Sequence, residues 1–589
     1  MVSMRDGVRL ATDLYLPPQL PAPVIAVRTP YGRGSDGWAA DGLSLARRGY
    51  VVACQDGRGT GGSEPDHWDY YLREPEDSYD LVDWIARQDW CDGFIGSCGG
   101  SYAGQVQWQM AIHPKMTAIA PDVSGLGVAV NTAHLHMFSN AYARTVGKGD
   151  DKVDLPLDRL EAEMLPETLA SGYFNAPLDT PASAALIGQF PQLAGMTPAE
   201  SRRWLWRRYC GMSCAERADM VKQAFGVTEV TILELDALST LFGHRISHDA
   251  HTLPCLDPAE LCQRFHAPAL MRTGWYDWGL NDALATWRLL MESAPKALRS
   301  RCRLFIAPSA HAATGYHEGM AERPELQHNY RGSAGVEMLL QWCQAIRTGD
   351  LSGWPKVIYY LMGANQWRTA TDWPVPEARP HRLYLRAGGA LSPEPPPLAD
   401  EPDDYVYDPD KPTPTLGGSI LSHVYPAGSV DVSTAQLRSD VLTFTTPPLA
   451  ADLDVVGPLT CVLHASSSAV DTDFVARLSD VFPDGRAIQL QSALLRARYR
   501  DLAGEPALLE PDRIYEFEID MWATANRFKA GHRLRLDISS ADFPKFDRNA
   551  NLGGKAGQPA PARQTIHHDR ERPSRLIVSV LGEAPADWR

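Results

Sequence analysis

The chain has 589 residues, 44% apolar and 22% charged, the balance of an ordinary globular protein and more than one hydrophobic core usually organises. Its net charge of −16 argues against a nucleic-acid function, because gripping a phosphate backbone needs a basic surface. It contains no apolar run of about eighteen residues, so no membrane-spanning helix is expected.

The opening segment "MVSMRDGVRLATDLYLP" lacks the apolar stretch of a signal peptide and alternates like a strand. A cytoplasmic location is expected, or else a leader has been removed. "PVIAVRTPYG", "GYVVACQDGRG" and "GFIGSCGG" are apolar runs that end in Gly-rich turns. Between them, "YDLVDWIARQDW" sets Leu81, Val82, Trp84 and Ile85 on one helical face. "SYAGQVQWQMAIHP" reads as a second helix stopped by Pro114, and "MTAIAPDVS" as the next strand. Buried strands alternating with helices predict a largely parallel sheet.

From about residue 130 to 250 strand signals nearly vanish, while "TPAESRRWLWRRYC" and "AERADMVKQAF" have helical spacing. Thr197 followed by Glu200 predicts a capping box. Strands return at "APALMRTGWYDWG" and "SRCRLFIAPSAH", with the helical "DALATWRLLMES" between them. Beyond about residue 355 short alternating strands are separated by Pro, Gly and Asp turns, which predicts an all-β sandwich or jelly roll. The expected organisation is a discontinuous α/β domain over 1–130 and 245–354, a helical insertion over 131–244 and a β domain over 355–589. The ten cysteines form no paired framework, and Cys210 and Cys214 have no second pair to complete a zinc site, so all are read as reduced thiols.

Two serines compete for attention in "GFIGSCGGSYAGQ". Ser101 has Gly99 two residues before it, Ala103 two after and Gly104 three after, where an apolar strand gives way to a helix. A nucleophile elbow needs this pattern, because its serine sits in a strained backbone that only small neighbours tolerate. The helix that follows directs its N-terminal dipole at the serine, and the Tyr102 amide can donate to an oxyanion. Ser97 has Ile95 at the corresponding upstream position and lies inside the strand run. A Gly-rich turn without chemistry would explain Ser101 equally well if it stood alone.

A serine hydroxyl needs a base, and the base an orienting acid. In doubly wound hydrolases both follow the serine in the chain, on loops after strands. Asp277 in "LMRTGWYDWG" and His311 in "RLFIAPSAHAATG" stand in those places and in that order. Each alone reads as a turn aspartate or as one of seventeen histidines.

With these residues in place the chain resembles the cocaine-esterase-like serine hydrolases, a family that also holds X-prolyl dipeptidyl peptidases and α-amino-acid ester hydrolases. The resemblance rests on "RTPYGRG", "QDGRGTGGSE", "WCDGFIGSCGGSYAGQVQW", "TGWYD" and, near the C-terminus, "ASSSAVDTDFVARLSDVFPDGRA" and "GHRLRLDISSADFPKFDRNAN". It implies an α/β-hydrolase domain with an inserted helical cap and a C-terminal jelly-roll β domain. It places nucleophile, acid and base on Ser101, Asp277 and His311. It adds Tyr31 as a hydroxyl donor to the oxyanion beside the Tyr102 amide, and Leu421 of "GGSILSH" in the acyl pocket. The alternative reading of Tyr31 is a core tyrosine.

There are departures from the family pattern. Where the family carries a tryptophan two residues before its histidine, this chain has Ser309. Where the amino-acid ester hydrolases carry two ammonium-binding acids, it has Gly279 and Leu280. An ammonium would be poorly compensated there, which points to a neutral or aromatic acyl group, with Trp278 as one aromatic wall. X-prolyl peptidase activity is less favoured, since those enzymes carry an extra N-terminal domain and this chain starts at the first hydrolase strand. The expected partner is a small ester or amide, without nucleic acid or membrane; self-association is left open. The chemistry needs neither metal nor organic cofactor.

Rival readings are an acyltransferase or cyclase using the same triad, a binding protein on a hydrolase scaffold, and a metal-dependent hydrolase. The last would rest on His244, His248 and His251, which recur at helical spacing, but no H-E-x-x-H motif accompanies them.

Overall fold

The computed structural model describes residues 1–65, 68–129, 190–193, 195–230, 235, 238, 258–311, 333–421, 426–502, 506–553, 557–585 and 588. Nine strands build the first sheet: β1 (Thr12–Tyr15), β2 (Ala22–Thr29), β3 (Val51–Asp56), β4 (Cys91–Gly100), β5 (Ala118–Asp122), β6 (Leu270–Tyr276), β7 (Arg303–Ala310), β8 (Val357–Leu361) and β9 (Gln366–Ala370). Their order in space is β9-β8-β7-β6-β5-β4-β2-β3-β1. From β3 to β8 every pairing is parallel, and β1 and β9 close the two edges antiparallel.

The strands read as unbroken apolar runs because both faces are covered. Along β2, Val24 and Ala26 join the core on one face, Ile25 and Val27 the core on the other. The first face packs against α2 (Glu74–Ala86) and α3 (Tyr102–Met110) through Leu81, Val82, Ile85 and Val106. The second packs against α1 (Asp36–Arg47) and a helix at Ser333–Thr348, through Leu45, Leu339, Trp342 and Ile346.

Among the described residues of the stretch read as an insertion, two helices stand out, Pro198–Cys210 and Cys214–Phe225. The Thr197–Glu200 capping box forms, and Ser213–Glu216 makes a second. Lys222 on the latter helix meets Asp69 at 2.7 Å, which ties that helix to the loop before α2. His244, His248 and His251 lie outside the described residues.

The segment just past residue 355 does not enter the second sheet: β8 and β9 add to the first sheet, β8 in parallel register with β7. The second sheet begins at Arg379, and eleven strands between there and Leu581 form it. All but one of its pairings are antiparallel, the exception being a single parallel pair, Ala390 with Thr445. The two sheets share one apolar cluster, and main-chain bonds join them where Met362 N–H donates to the Ala525 carbonyl and Arg527 N–H to the Met362 carbonyl (2.9 and 2.8 Å).

Candidate active site

Parallel strands end together, so the loops after β2, β4, β6 and β7 gather at one edge of the sheet. Ser101 follows β4, Asp277 follows β6 and His311 follows β7.

Ser101 has φ 57° and ψ −123°, a conformation that non-glycine residues rarely hold. Its neighbours show why small residues flank it. Gly99 has φ +139°, and a Cβ there would lie 2.6 Å from the Ala103 methyl. A Cβ on Gly104 would lie 2.6 Å from both the Asp122 carbonyl oxygen and Ser124 Oγ. Gly104→Ala is therefore expected to lower unfolding stability by about 1–3 kcal/mol through overpacking, read from a urea-unfolding midpoint. An unchanged midpoint would mean that α3 can shift off β5 freely. The Ser101 N–H donates to the Asp122 carbonyl at 3.0 Å, and the Ser101 carbonyl accepts from Gly104 and Gln105. The turn is thus fixed on both sides, and Tyr102 opens α3.

Ser97 is 1% exposed within β4 and donates to Gln107 Oε1 at 3.0 Å. Its role is to brace. Gln107 in turn donates to the Gly99 and Ala103 carbonyls and accepts from Ala120 N–H, so one buried amide supports the elbow from beneath. Sequence reasoning missed Gln107, which looks like any polar residue on a helix. It also missed the Arg28–Glu74–Tyr102 chain. The Tyr102 hydroxyl donates to Glu74 at 2.7 Å, and Glu74 meets Arg28 at 2.7 Å, all three fully buried. Burial raises the Glu74 carboxyl above its ordinary value against the opposing pull of Arg28.

His311 joins the two remaining groups. Its Nε2 lies 2.9 Å from Ser101 Oγ and its Nδ1 2.8 Å from Asp277 Oδ1. An ionised carboxylate only accepts, so Nδ1 carries the proton and Nε2 is left to accept from the serine. Asp277 is 0% exposed and also accepts from Thr273 Oγ1 (3.1 Å) and Gly279 N–H (3.0 Å). Three donors thus hold the carboxylate in one orientation.

Tyr31 lies just beyond β2, beside the strand that leads to Ser101. It is 42% exposed, which sets aside the core-tyrosine reading. Its N–H donates to Thr29 Oγ1, and Asp56 anchors the loop through Arg33 N–H (2.6 Å) and the Arg33 guanidinium. "RTPYGRG" and "QDGRG" are therefore two halves of one fixture.

Trp278 packs its ring 5.5 Å from that of His311. Leu421 is partly buried against the main core, on a β-domain loop whose base is the paired Gly418 and Gly428. Gly279 stands two residues past Asp277, and Leu280 opens the next helix with its side chain fully buried. The next carboxylate in the chain, Asp282, accepts three backbone N–H groups, those of Gly127, Val128 and Ala129, at 2.9, 2.6 and 3.0 Å. It fixes the segment that leads out of β5 toward the insertion. Sequence reasoning missed this as well, since nothing around Asp282 signals a partner so far away.

A parallel sheet with helices on both faces and a serine, histidine and aspartate in one hydrogen-bonded row at its edge defines a serine hydrolase of the α/β-hydrolase fold. Two family models match the chain: the X-Pro dipeptidyl-peptidase (S15 family) over residues 6–147 and the X-Pro dipeptidyl-peptidase C-terminal non-catalytic domain over 352–577. The chain is 33% identical to a cocaine esterase from Rhodococcus sp. (strain MB1 Bresler), over 99% of this chain and 98% of that one. Among solved structures it is similar to an aminopeptidase from a marine sediment Thaumarchaeota archaeon (TM-score 0.72, 22% identity, 99% and 96% of the two chains covered). It is also similar to an α-amino acid ester hydrolase (TM-score 0.68, 22% identity, 98% and 95% covered). At that identity both speak for the fold alone.

The chain belongs to the cocaine-esterase-like serine hydrolases, and it is an enzyme of the serine esterase type. Among the described residues no helix is long and apolar enough to cross a membrane.

Proposed function

We propose that this enzyme hydrolyses carboxylic esters of neutral or aromatic acids through an acyl-enzyme on Ser101. The observation that carries the reading is the row Ser101 Oγ, His311 and Asp277, with contacts of 2.9 and 2.8 Å. His311 Nε2 takes the hydroxyl proton as Oγ attacks the ester carbonyl carbon. Asp277 holds the Nδ1–H tautomer and stabilises the imidazolium. The oxyanion is met by the Tyr102 amide at the helix start and by the Tyr31 hydroxyl. As the tetrahedral intermediate collapses, the C–O bond to the alcohol breaks and the imidazolium protonates the leaving oxygen. Water then attacks the acyl carbon as His311 takes its proton, the C–Oγ bond breaks, the imidazolium returns the proton to Ser101 Oγ, and the free acid leaves.

Residues 131–244 as a helical cap and the second sheet as a jelly roll complete this proposal, with the acyl pocket between them and the sheet edge. Trp278 against His311 and Leu421 on the β-domain loop supply apolar wall on that side. The absence of a spare carboxylate after Asp277 supports a neutral acyl group. Gly279 and Leu280 bring no charge, and the Asp282 carboxylate is already met by three amides.

The test is a substrate panel: a p-nitrophenyl acyl ester, a benzoyl ester, an α-amino acid ester and a Gly-Pro anilide. The neutral and benzoyl esters are expected to have the highest kcat/KM, by at least about tenfold, because an uncompensated ammonium in a desolvated pocket is costly. Preference for the amino ester or the anilide would overturn the acyl assignment and leave the triad standing. Acyl transfer to an added alcohol or amine in preference to water would mark an acyltransferase.

A further inference from the structure

Trp275 and Tyr276 stand immediately before Asp277 at the end of β6, and both are fully buried. The ladder between β6 and β7 shifts register between Gly274 and Tyr276. Such an irregularity re-aims backbone groups away from the neighbouring strand. The Trp275 carbonyl has its partner in the other domain: Gln491 Nε2 donates to it at 2.7 Å. The second N–H of the same amide donates to the Ala523 carbonyl at 3.1 Å. Ser419 Oγ lies 3.2 Å from Gln491 Oε1 and 3.5 Å from the Trp275 carbonyl, so its one proton has both acceptors within reach.

The next residue is held in the same way. The Tyr276 hydroxyl donates to the Gln489 carbonyl at 3.2 Å. Gln489 and Gln491 lie on the strand Ala487–Arg496, whose pairing with Asp473–Val481 shifts register where Leu478 faces Gln491 and Ser479 faces Gln489. Two strand irregularities from different sheets therefore meet at the two residues that precede the acid. Gln491 is 0% exposed, and a buried amide with both ends matched has little freedom to shift.

We propose that Gln491 is a positioning residue for Asp277, by which the β domain sets the direction of the acid loop. The role rests on Asp277 being the acid of the triad. Thr273 and Gly279 orient the carboxylate locally. Gln491 and the Gln489 carbonyl fix the backbone that carries it. The β domain then does more than roof the site: without it, the acid strand ends in a carbonyl and a phenol that have lost their partners.

The experiment compares wild type, Gln491→Met and Tyr276→Phe on one ester, with active sites counted by an alkyl fluorophosphonate. Gln491→Met keeps the volume and removes both donors. It is expected to lower kcat per active site by about 10- to 100-fold with KM within about twofold, as a small displacement of an orienting group does. The acidic limb of its kcat/KM profile should move to lower pH, because a displaced carboxylate favours the imidazolium less. Tyr276→Phe should show the same shift with a severalfold loss of kcat. It carries the test if Gln491→Met does not fold. If the amide only glues the domains together, the urea midpoint falls while kcat and the acidic limb stay put, and the proposal is overturned. Failure of wild type to be labelled at Ser101 would remove the triad and this role together. Labelled variants with wild-type kcat remove the role of Gln491 alone.

Discussion

Replacing Ser101 by alanine is expected to lower kcat on any ester by on the order of 10⁵–10⁶-fold, with KM little changed. In the proposed acyl-enzyme route the hydroxyl oxygen is the atom that bonds to the substrate, and His311 cannot pass its role to water without losing the positioned attack. Steady-state rates on the neutral esters check this, with the fluorophosphonate confirming that no site is labelled. Retention of more than about a hundredth of wild-type activity would point to another nucleophile. A companion variant separates chemistry from strain. Ser101→Gly should be equally inactive yet more stable by about 1 kcal/mol, because φ 57° with ψ −123° is strained for serine and open to glycine. If Ser101→Gly unfolds at the wild-type midpoint, the elbow stores no strain.

Asp277→Asn should lower kcat by about 10⁴-fold near neutral pH while leaving the fold intact. The carboxylate is fully buried and accepts from His311, Thr273 and Gly279. An amide in its place can turn an NH₂ toward the imidazole, which then keeps its proton on Nε2 and cannot accept from Ser101. Because Thr273 Oγ1 keeps an acceptor and no cavity opens, Asp277→Asn is a gentler probe of the site than Asp277→Ala. The measurement is kcat against pH. A loss below about tenfold would mean that the imidazole is oriented by something other than this carboxylate.

The site was legible to the extent that its chemistry depends on neighbours in the chain. The elbow is written into Gly99, Ser101 and Gly104, since the strain at one residue and the clearances at two others all arise within six positions. Asp277 and His311 could be found because a loop after an apolar strand is a local pattern, and in a parallel sheet all such loops come to one edge. The capping box at Thr197 was equally local.

The braces around the site were not legible. Gln107, Glu74, Arg28 and Asp282 are polar residues whose partners are set by packing, and a buried polar side chain looks the same in sequence as an exposed one. Which sheet the segment after residue 355 joins was hidden for a related reason. "KVIYYLMG" alternates or runs apolar whichever sheet it joins, and only the open edge beside β7 decides that β8 adds there.

The sequence by itself singled out Ser101, with Asp277 and His311 after it at two later strand ends, and the two-sheet composition of the chain, because periodicity and turn chemistry act over a few residues. Tertiary structure alone decided which sheet β8 and β9 complete, that Ser97 braces the elbow through Gln107, and that the acid strand is held by an amide 216 residues further along. Contacts of that span form only when two independently patterned surfaces close on each other. Their hydrogen bonds matter there because burial leaves an unmatched carbonyl no water to turn to.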